Sequence, residues 1–119
     1  MAILSYFLFV LFSSVVEGFL WARKGLNHKG IRNIHLWLVL MRSAVWFLLF
    51  LLTSWNWVLF AVLGFPLLHD GIYYMTRNFL DENIYPKGFF DVSTTSTALF
   101  TVSFQYRAFL FVVGLAALF

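Results

Sequence analysis

Ionisable side chains lying inside long apolar runs are the residues of this chain with the chemistry to form a site. A charged group inside a membrane span costs about 2.5–3.5 kcal/mol on insertion scales, so each one needs a partner or water. Several of them share the i, i+3, i+4, i+7 spacing of one helix face in the third apolar run. We treat nine residues as a candidate intramembrane polar site: Glu17, His35, Arg42, His69, Asp70, Tyr73, Tyr74, Arg77 and Arg107.

The first interpretation of this set is structural. Glu17 and Asp70 carry negative charge, and Arg42 and Arg107 carry positive charge that could neutralise them. Polar side chains that pair across helices are a common way to hold membrane bundles together. This interpretation predicts a non-enzymatic structural or accessory subunit with a buried polar layer near one face of the membrane.

The second interpretation is a metal site. Glu17, His35, His69 and Asp70 are two carboxylates and two imidazoles, which suit zinc, iron or manganese. The sequence contains no HExxH or ExxH pair, so spacing adds no support. No cofactor is therefore predicted, and a divalent metal stays an alternative.

The third interpretation is a phosphate site. The guanidinium groups of Arg42, Arg77 and Arg107 outnumber the carboxylates of the set. Because arginine matches phosphate oxygens with two parallel hydrogen bonds, such a surplus suits a lipid headgroup. This alternative predicts a protein that binds a lipid headgroup, or a lipid-processing enzyme that uses His35 or His69 as acid or base.

A pore or small transporter is the remaining alternative, in which Glu17 and Asp70 line a path for ions or protons. In size the chain resembles phage holins. A Glu in the first of four helices resembles the small multidrug transporters, although Glu17 lies near one end of its run, among arginines and histidines.

The elements that position these residues follow from composition. The chain has 119 residues, of which 62% are hydrophobic and 11% are charged, against about 25% charged in soluble domains. It has no cysteine, which excludes disulfides, zinc-thiolate sites and thiol catalysis. We therefore predict an all-α integral membrane protein, a single domain over 1–119 with a polar loop at 80–92. Its four transmembrane helices are expected at about 3–22, 34–53, 57–79 and 94–119.

Basic residues orient this bundle. The second loop and the N-terminal end hold none, whereas the first and third loops are basic, and basic loops face the cytoplasm. The sequence thus predicts a cell-membrane protein with cytoplasmic basic loops and both termini outside. The residues concerned are Arg23, Lys24, Lys29, Arg32, Arg77 and Lys87.

Partners follow from the same distribution. Because the basic residues flank apolar runs and form no continuous face, nucleic acid is excluded. Membrane lipids are the expected partners, together with further copies of the chain or a larger membrane complex.

The fourth helix is the least regular. Over 94–119 it would be about 40 Å long, more than the hydrocarbon core, and it would place Arg107 near mid-membrane. Asp91 or Ser93 suits its N-cap. The alternative is a helix broken near Arg107.

Overall fold

The computed structural model describes residues 1–24, 28–92 and 102–119, and the side chains of 1–22, 36–92 and 102–119. Within these ranges all regular secondary structure is helical and there is no strand, as the sequence predicts. The elements are α1 (Ala2–Lys24), α2 (His28–Leu52), α3 (Trp55–Leu80) and α4 (Phe104–Ala116).

Helix α3 is the centre of the bundle, and α1 packs along it in a parallel direction. Near their first turns, the Tyr6 hydroxyl donates to the Ala61 carbonyl at 2.5 Å. Near their last turns, Gly18 lies so close to Thr76 that a Cβ on Gly18 would sit 2.7 Å from the Thr76 Cβ. The glycine therefore sets how closely the two helices approach.

Helices α2 and α4 run antiparallel to α3. The Trp46 ring of α2 packs edge-on against Phe65 at 5.8 Å, and Leu49 joins the apolar core. On the other side of α3, Gly114 of α4 lies against Phe60. The helices thus alternate in direction, and the core lies at the contact of α1, α2 and α3.

The boundary of α2 differs from expectation at its start. The helix begins at His28, whereas hydropathy predicts a start at residue 34. The first turns of the helix are rich in polar residues, so the apolar run begins later than the helix does. Hydropathy marks the apolar part of a helix and not its hydrogen-bonded ends, which explains the difference.

A continuous fourth helix over 94–119 is wrong. Val102 and Ser103 are not helical, and α4 begins at Phe104, three residues before the position at which a break was considered. Ser103 is the N-cap, in an extended conformation, and its side chain accepts from the Tyr106 amide at 3.3 Å. Neither Asp91 nor Ser93 therefore caps α4. Expected helical residues 94–101 lie outside the described part.

The loop after α3 folds back along that helix. Phe89 packs on Gly71, where a Cβ would lie 2.3 Å from the ring. Asn78 donates from its amide to the Tyr85 carbonyl at 2.8 Å, which fixes the near end of the loop. The expected polar loop at 80–92 is therefore a packed element that lies beside the third and fourth helices.

The described bundle exposes many large apolar side chains and buries several charged ones. Large apolar side chains are exposed along α1, among them Leu8 (56%) and Phe12 (75%), while Glu17 is 6% exposed and Arg107 is fully buried. Among the described residues, two helices are long and apolar enough to cross a membrane by length and composition. They are Ala2–Ala22, with mean hydropathy 2.0, and Trp55–Leu80, with mean hydropathy 1.4.

Candidate functional site

Three helices meet at one carboxylate. Glu17 projects from the buried face of α1, and its Oε1 accepts a hydrogen bond from Nη2 of Arg42 on α2. His69 of α3 places its Nε2 3.1 Å from the same oxygen and 3.0 Å from the Arg42 Nη2. Both Glu17 and His69 are buried. A single ionic contact therefore links α1, α2 and α3.

The second nitrogen of the imidazole extends this set. Nδ1 of His69 lies 3.1 Å from Oδ1 of Asp70, so the ring stands between two carboxylates. Nε2 donates to Glu17 when the ring is an imidazolium and accepts from Arg42 when the ring is neutral, so Nδ1 donates to Asp70 in both cases. We call Asp70, His69, Glu17 and Arg42 the ionic set.

Aromatic stacking fixes the plane of the His69 ring. Phe65, one turn earlier, stacks on it at 4.6 Å with an interplanar angle of 15°. Tyr73, one turn later, lies parallel to it at 6.2 Å and 7°. The Arg42 guanidinium also lies near the Phe65 ring, 4.8 Å from its centre. Because Phe65, His69 and Tyr73 are four residues apart on α3, their rings stack. The stacking orients the two nitrogens of His69 toward the carboxylates of Glu17 and Asp70.

Arg77 continues the same row of α3 but has different partners. Its guanidinium lies between two tyrosine rings, 5.1 Å from Tyr73 and 3.9 Å from Tyr85. It also donates to the Tyr73 hydroxyl at 3.1 Å. The Tyr85 hydroxyl in turn lies 3.4 Å from the Trp21 carbonyl of α1. Arg77 therefore attaches the loop after α3 to the bundle and does not join the ionic set.

Arg107 lies apart from both groups. Its Nη2 donates to the carbonyls of Phe89 and Asp91, at 3.1 and 2.8 Å. Its guanidinium lies near the rings of Tyr74 and Phe104, 5.4 and 5.9 Å from their centres. Within the described part of the chain, its Nε and Nη1 have no hydrogen-bond partner. Arg107 thus holds the returning loop against the start of α4.

The structure brings together four of the nine predicted site residues and separates most of the others. Glu17 pairs with Arg42, as the structural interpretation expects, but Asp70 pairs with His69 and not with Arg107. Tyr73 lies next to the set, and Tyr74 is buried on the Arg107 side of α3. The side chain of His35 lies outside the described part.

The ligands predicted for a metal face different atoms of one ring. Glu17 contacts Nε2 of His69 and Asp70 contacts Nδ1, so the two carboxylates do not converge on a common point. Among the side chains that the structure describes, no group of three His, Cys, Asp or Glu residues could hold a metal ion. A metal that uses His35 stays a prediction.

Sequence reasoning selected Tyr73 and Tyr74 but missed Phe65, Tyr85 and the loop contacts. Phe65, His69, Tyr73 and Arg77 follow each other at intervals of four, which is the signal that could have revealed the stacked row. The carbonyl partners of Arg107 leave no such signal, because they depend on how the loop folds back.

No protein-family model, curated protein or solved structure matches this chain.

Proposed function

We propose that this chain is a non-enzymatic structural or accessory subunit of a membrane, in which the ionic set holds three helices together. The observation that supports this function is the meeting of α1, α2 and α3 at the Glu17 carboxylate. Arg42 and His69 supply the donors from two different helices. In the part of α2 whose side chains are described, Arg42 provides its ionic contact with α1 and α3, so the set contributes to where α2 docks.

The exposed apolar side chains and the buried charged ones support a membrane environment. In a soluble protein the largest exposed apolar patch covers a few hundred Å², whereas exposed apolar side chains continue along α1 and α2, as at Phe12 and Trp37. Lipid is the solvent that leaves such a surface stable while charged groups are buried inside. The four helices then cross or enter the bilayer, with the basic loops in the cytoplasm and both termini outside.

Helix α4 enters the bilayer only part of the way. Its 13 residues are about 20 Å long, less than the roughly 30 Å hydrocarbon core. Non-helical backbone is tolerated at membrane depth where protein groups satisfy it. Arg107 satisfies the backbone carbonyls of Phe89 and Asp91 by donating a hydrogen bond to each.

The arrangement of the arginines favours a structural function over phosphate binding. Arg42 is engaged by Glu17, Arg77 by two tyrosine rings and Arg107 by loop carbonyls. Guanidinium groups that bind one phosphate must point at a common centre. These three lie in separate contacts, each with protein partners.

Single-cysteine labelling tests the membrane topology. The chain has no cysteine, so Asn56→Cys in the first turn of α3 and Asn83→Cys in the loop after α3 each introduce one thiol at an exposed position. In intact cells, we expect an impermeant maleimide to label Asn56→Cys, and to label Asn83→Cys only after the membrane is opened. Labelling of both from the same side, or recovery of the chain in the soluble fraction, would overturn the proposal.

A further inference from the structure

One face of α3 is not covered by the described parts of the other helices. Trp55, Leu59 and Val62 are 62%, 42% and 37% exposed. Pro66 is half-buried, and the Asp70 side chain is 32% exposed. These five residues follow each other at intervals of 4, 3, 4 and 4, which is the spacing of a seam that packs against a second helix. We call them the open face of α3.

The open face carries hydrogen-bond acceptors without donors. Oδ1 of Asp70 is engaged by His69, while Oδ2 has no partner among the described residues. Pro66 has no N–H, so the Val62 carbonyl, one turn earlier, does not receive the usual helix hydrogen bond. An apolar seam that contains an ionisable acceptor is poorly suited to lipid, because lipid offers no donor at this depth.

We propose that the open face of α3 is the docking site of a partner transmembrane helix that presents an arginine or lysine at the depth of Asp70. The inference rests on the proposed membrane function and names the kind of subunit that this chain accompanies. Complementary charge supplies the specificity, and the apolar residues on either side supply packing. The half-buried Pro66 has no long side chain, which leaves room for close approach near the carboxylate.

A second copy of the chain fits this face less well. In a symmetric dimer the same face meets itself, which places one Asp70 near another. The described arginines are already engaged, since Arg42 pairs with Glu17 and Arg107 with loop carbonyls. Arg77 is likewise enclosed by tyrosines. The open face therefore favours a different chain.

Synthetic transmembrane helices test this proposal directly. Three leucine-based peptides that differ only at the central residue, Arg, Leu or Glu, are reconstituted with the full chain in phosphatidylcholine vesicles. Energy transfer from a donor on the peptide to an acceptor on Asn56→Cys reports association. We expect the Arg peptide to associate about tenfold more tightly than the Leu peptide, as measured for strong polar contacts between model helices. The Glu peptide should associate most weakly.

Two variants test whether the preference for the Arg peptide depends on the charge of Asp70 or on the total negative charge of the chain. Asp70→Asn keeps an acceptor for His69 but removes the charge, and it should abolish the preference for the Arg peptide. Glu82→Gln removes one negative charge from the exposed loop and should leave the preference unchanged. Equal association of the Arg and Leu peptides, or an Arg preference that survives Asp70→Asn, would overturn the proposal.

Disulfide trapping locates the docked helix. A peptide thiol should crosslink to Leu59→Cys on the open face and not to Leu8→Cys, which is even more exposed, lies on α1 and is at a similar height in the bundle. Crosslinking between two copies at Leu59→Cys that the Arg peptide does not displace would overturn the proposal in favour of a homodimer. If Asn56→Cys and Asn83→Cys are labelled from opposite sides but the Arg and Leu peptides associate equally, only the docking proposal is wrong. If both are labelled from the same side, the proposed membrane function is itself wrong.

Discussion

Replacing Arg42 with methionine should loosen α2 from the rest of the bundle. The change removes the guanidinium while keeping much of the apolar stem, so it tests the charge more than the packing. Glu17, 6% exposed, is left with His69 at 3.1 Å as its remaining partner in the ionic set. We expect Arg42→Met to lower the free energy of unfolding by about 2 kcal/mol.

Two limits define this magnitude. Hydrogen bonds between membrane helices average about 0.6 kcal/mol and reach about 1.7 kcal/mol, while breaking a fully buried ion pair costs about 3–5 kcal/mol. Glu17 is buried, which places the cost above the first average. It keeps the His69 contact, which places the cost below the second range.

A double-mutant cycle makes the argument specific to the pair. In Glu17→Gln/Arg42→Met the buried group is neutral, so the double variant should be less destabilised than the sum of the two single variants. Unfolding is followed by circular dichroism in mixed micelles of increasing denaturing detergent. Ser5→Ala is the control, because that exposed hydroxyl donates only to the Met1 carbonyl of its own helix. A change within 0.5 kcal/mol of the control, or strict additivity in the cycle, would refute the reasoning.

Three further outcomes follow from the loop and the ionic set. Arg107→Gln should release the returning loop, because it loses the fork that holds two carbonyls; trypsin should then cut at Lys87 at least several-fold faster, and an unchanged rate would contradict this function of the guanidinium. Gly71→Ala should destabilise the chain by about 1–3 kcal/mol, because the new Cβ meets the Phe89 ring; Phe89→Ala in the same chain should recover part of the loss, and no recovery would place the strain elsewhere. Elemental analysis of the purified protein should find no stoichiometric transition metal, because the two carboxylates contact different nitrogens of His69; one metal ion per chain would disprove it.

The depth of the ionic set could be predicted from sequence because helices that alternate in direction bring matching positions to one level. Glu17 lies near the end of the first run, Arg42 near the start of the second, and His69 late in the third. In an up-and-down bundle these positions share a layer. Hydropathy and the basic loops are therefore enough to group them.

The pairing inside the layer could not be predicted in the same way. His69 and Asp70 are adjacent in sequence, and neighbours on a helix do not face each other. Their contact depends on the ring plane, which Phe65 and Tyr73 fix by stacking. Pairing therefore required the rotamers of the aromatic row as well as helical spacing.

The start of α4 could not be predicted from the sequence for a related reason. Composition favours one long apolar segment up to Phe119, but the helix begins at a local cap on Ser103. Arg107 is buried by contact with Phe89 and Asp91, two residues of a loop that returns along α3. Neither hydropathy nor periodicity encodes that return, since it depends on the close approach of Phe89 to Gly71.

The most direct test of the account is a solid-state NMR measurement of the Glu17–Arg42 contact in lipid vesicles. With ¹³C in the glutamate side chains and ¹⁵N in the arginine guanidinium groups, dipolar dephasing reports carboxylate carbons that lie next to guanidinium nitrogens. The account predicts strong dephasing of one glutamate signal in the wild-type chain and its loss in Arg42→Met. The absence of dephasing in the wild type, or its persistence in Arg42→Met, would contradict the claim that this ion pair joins the helices.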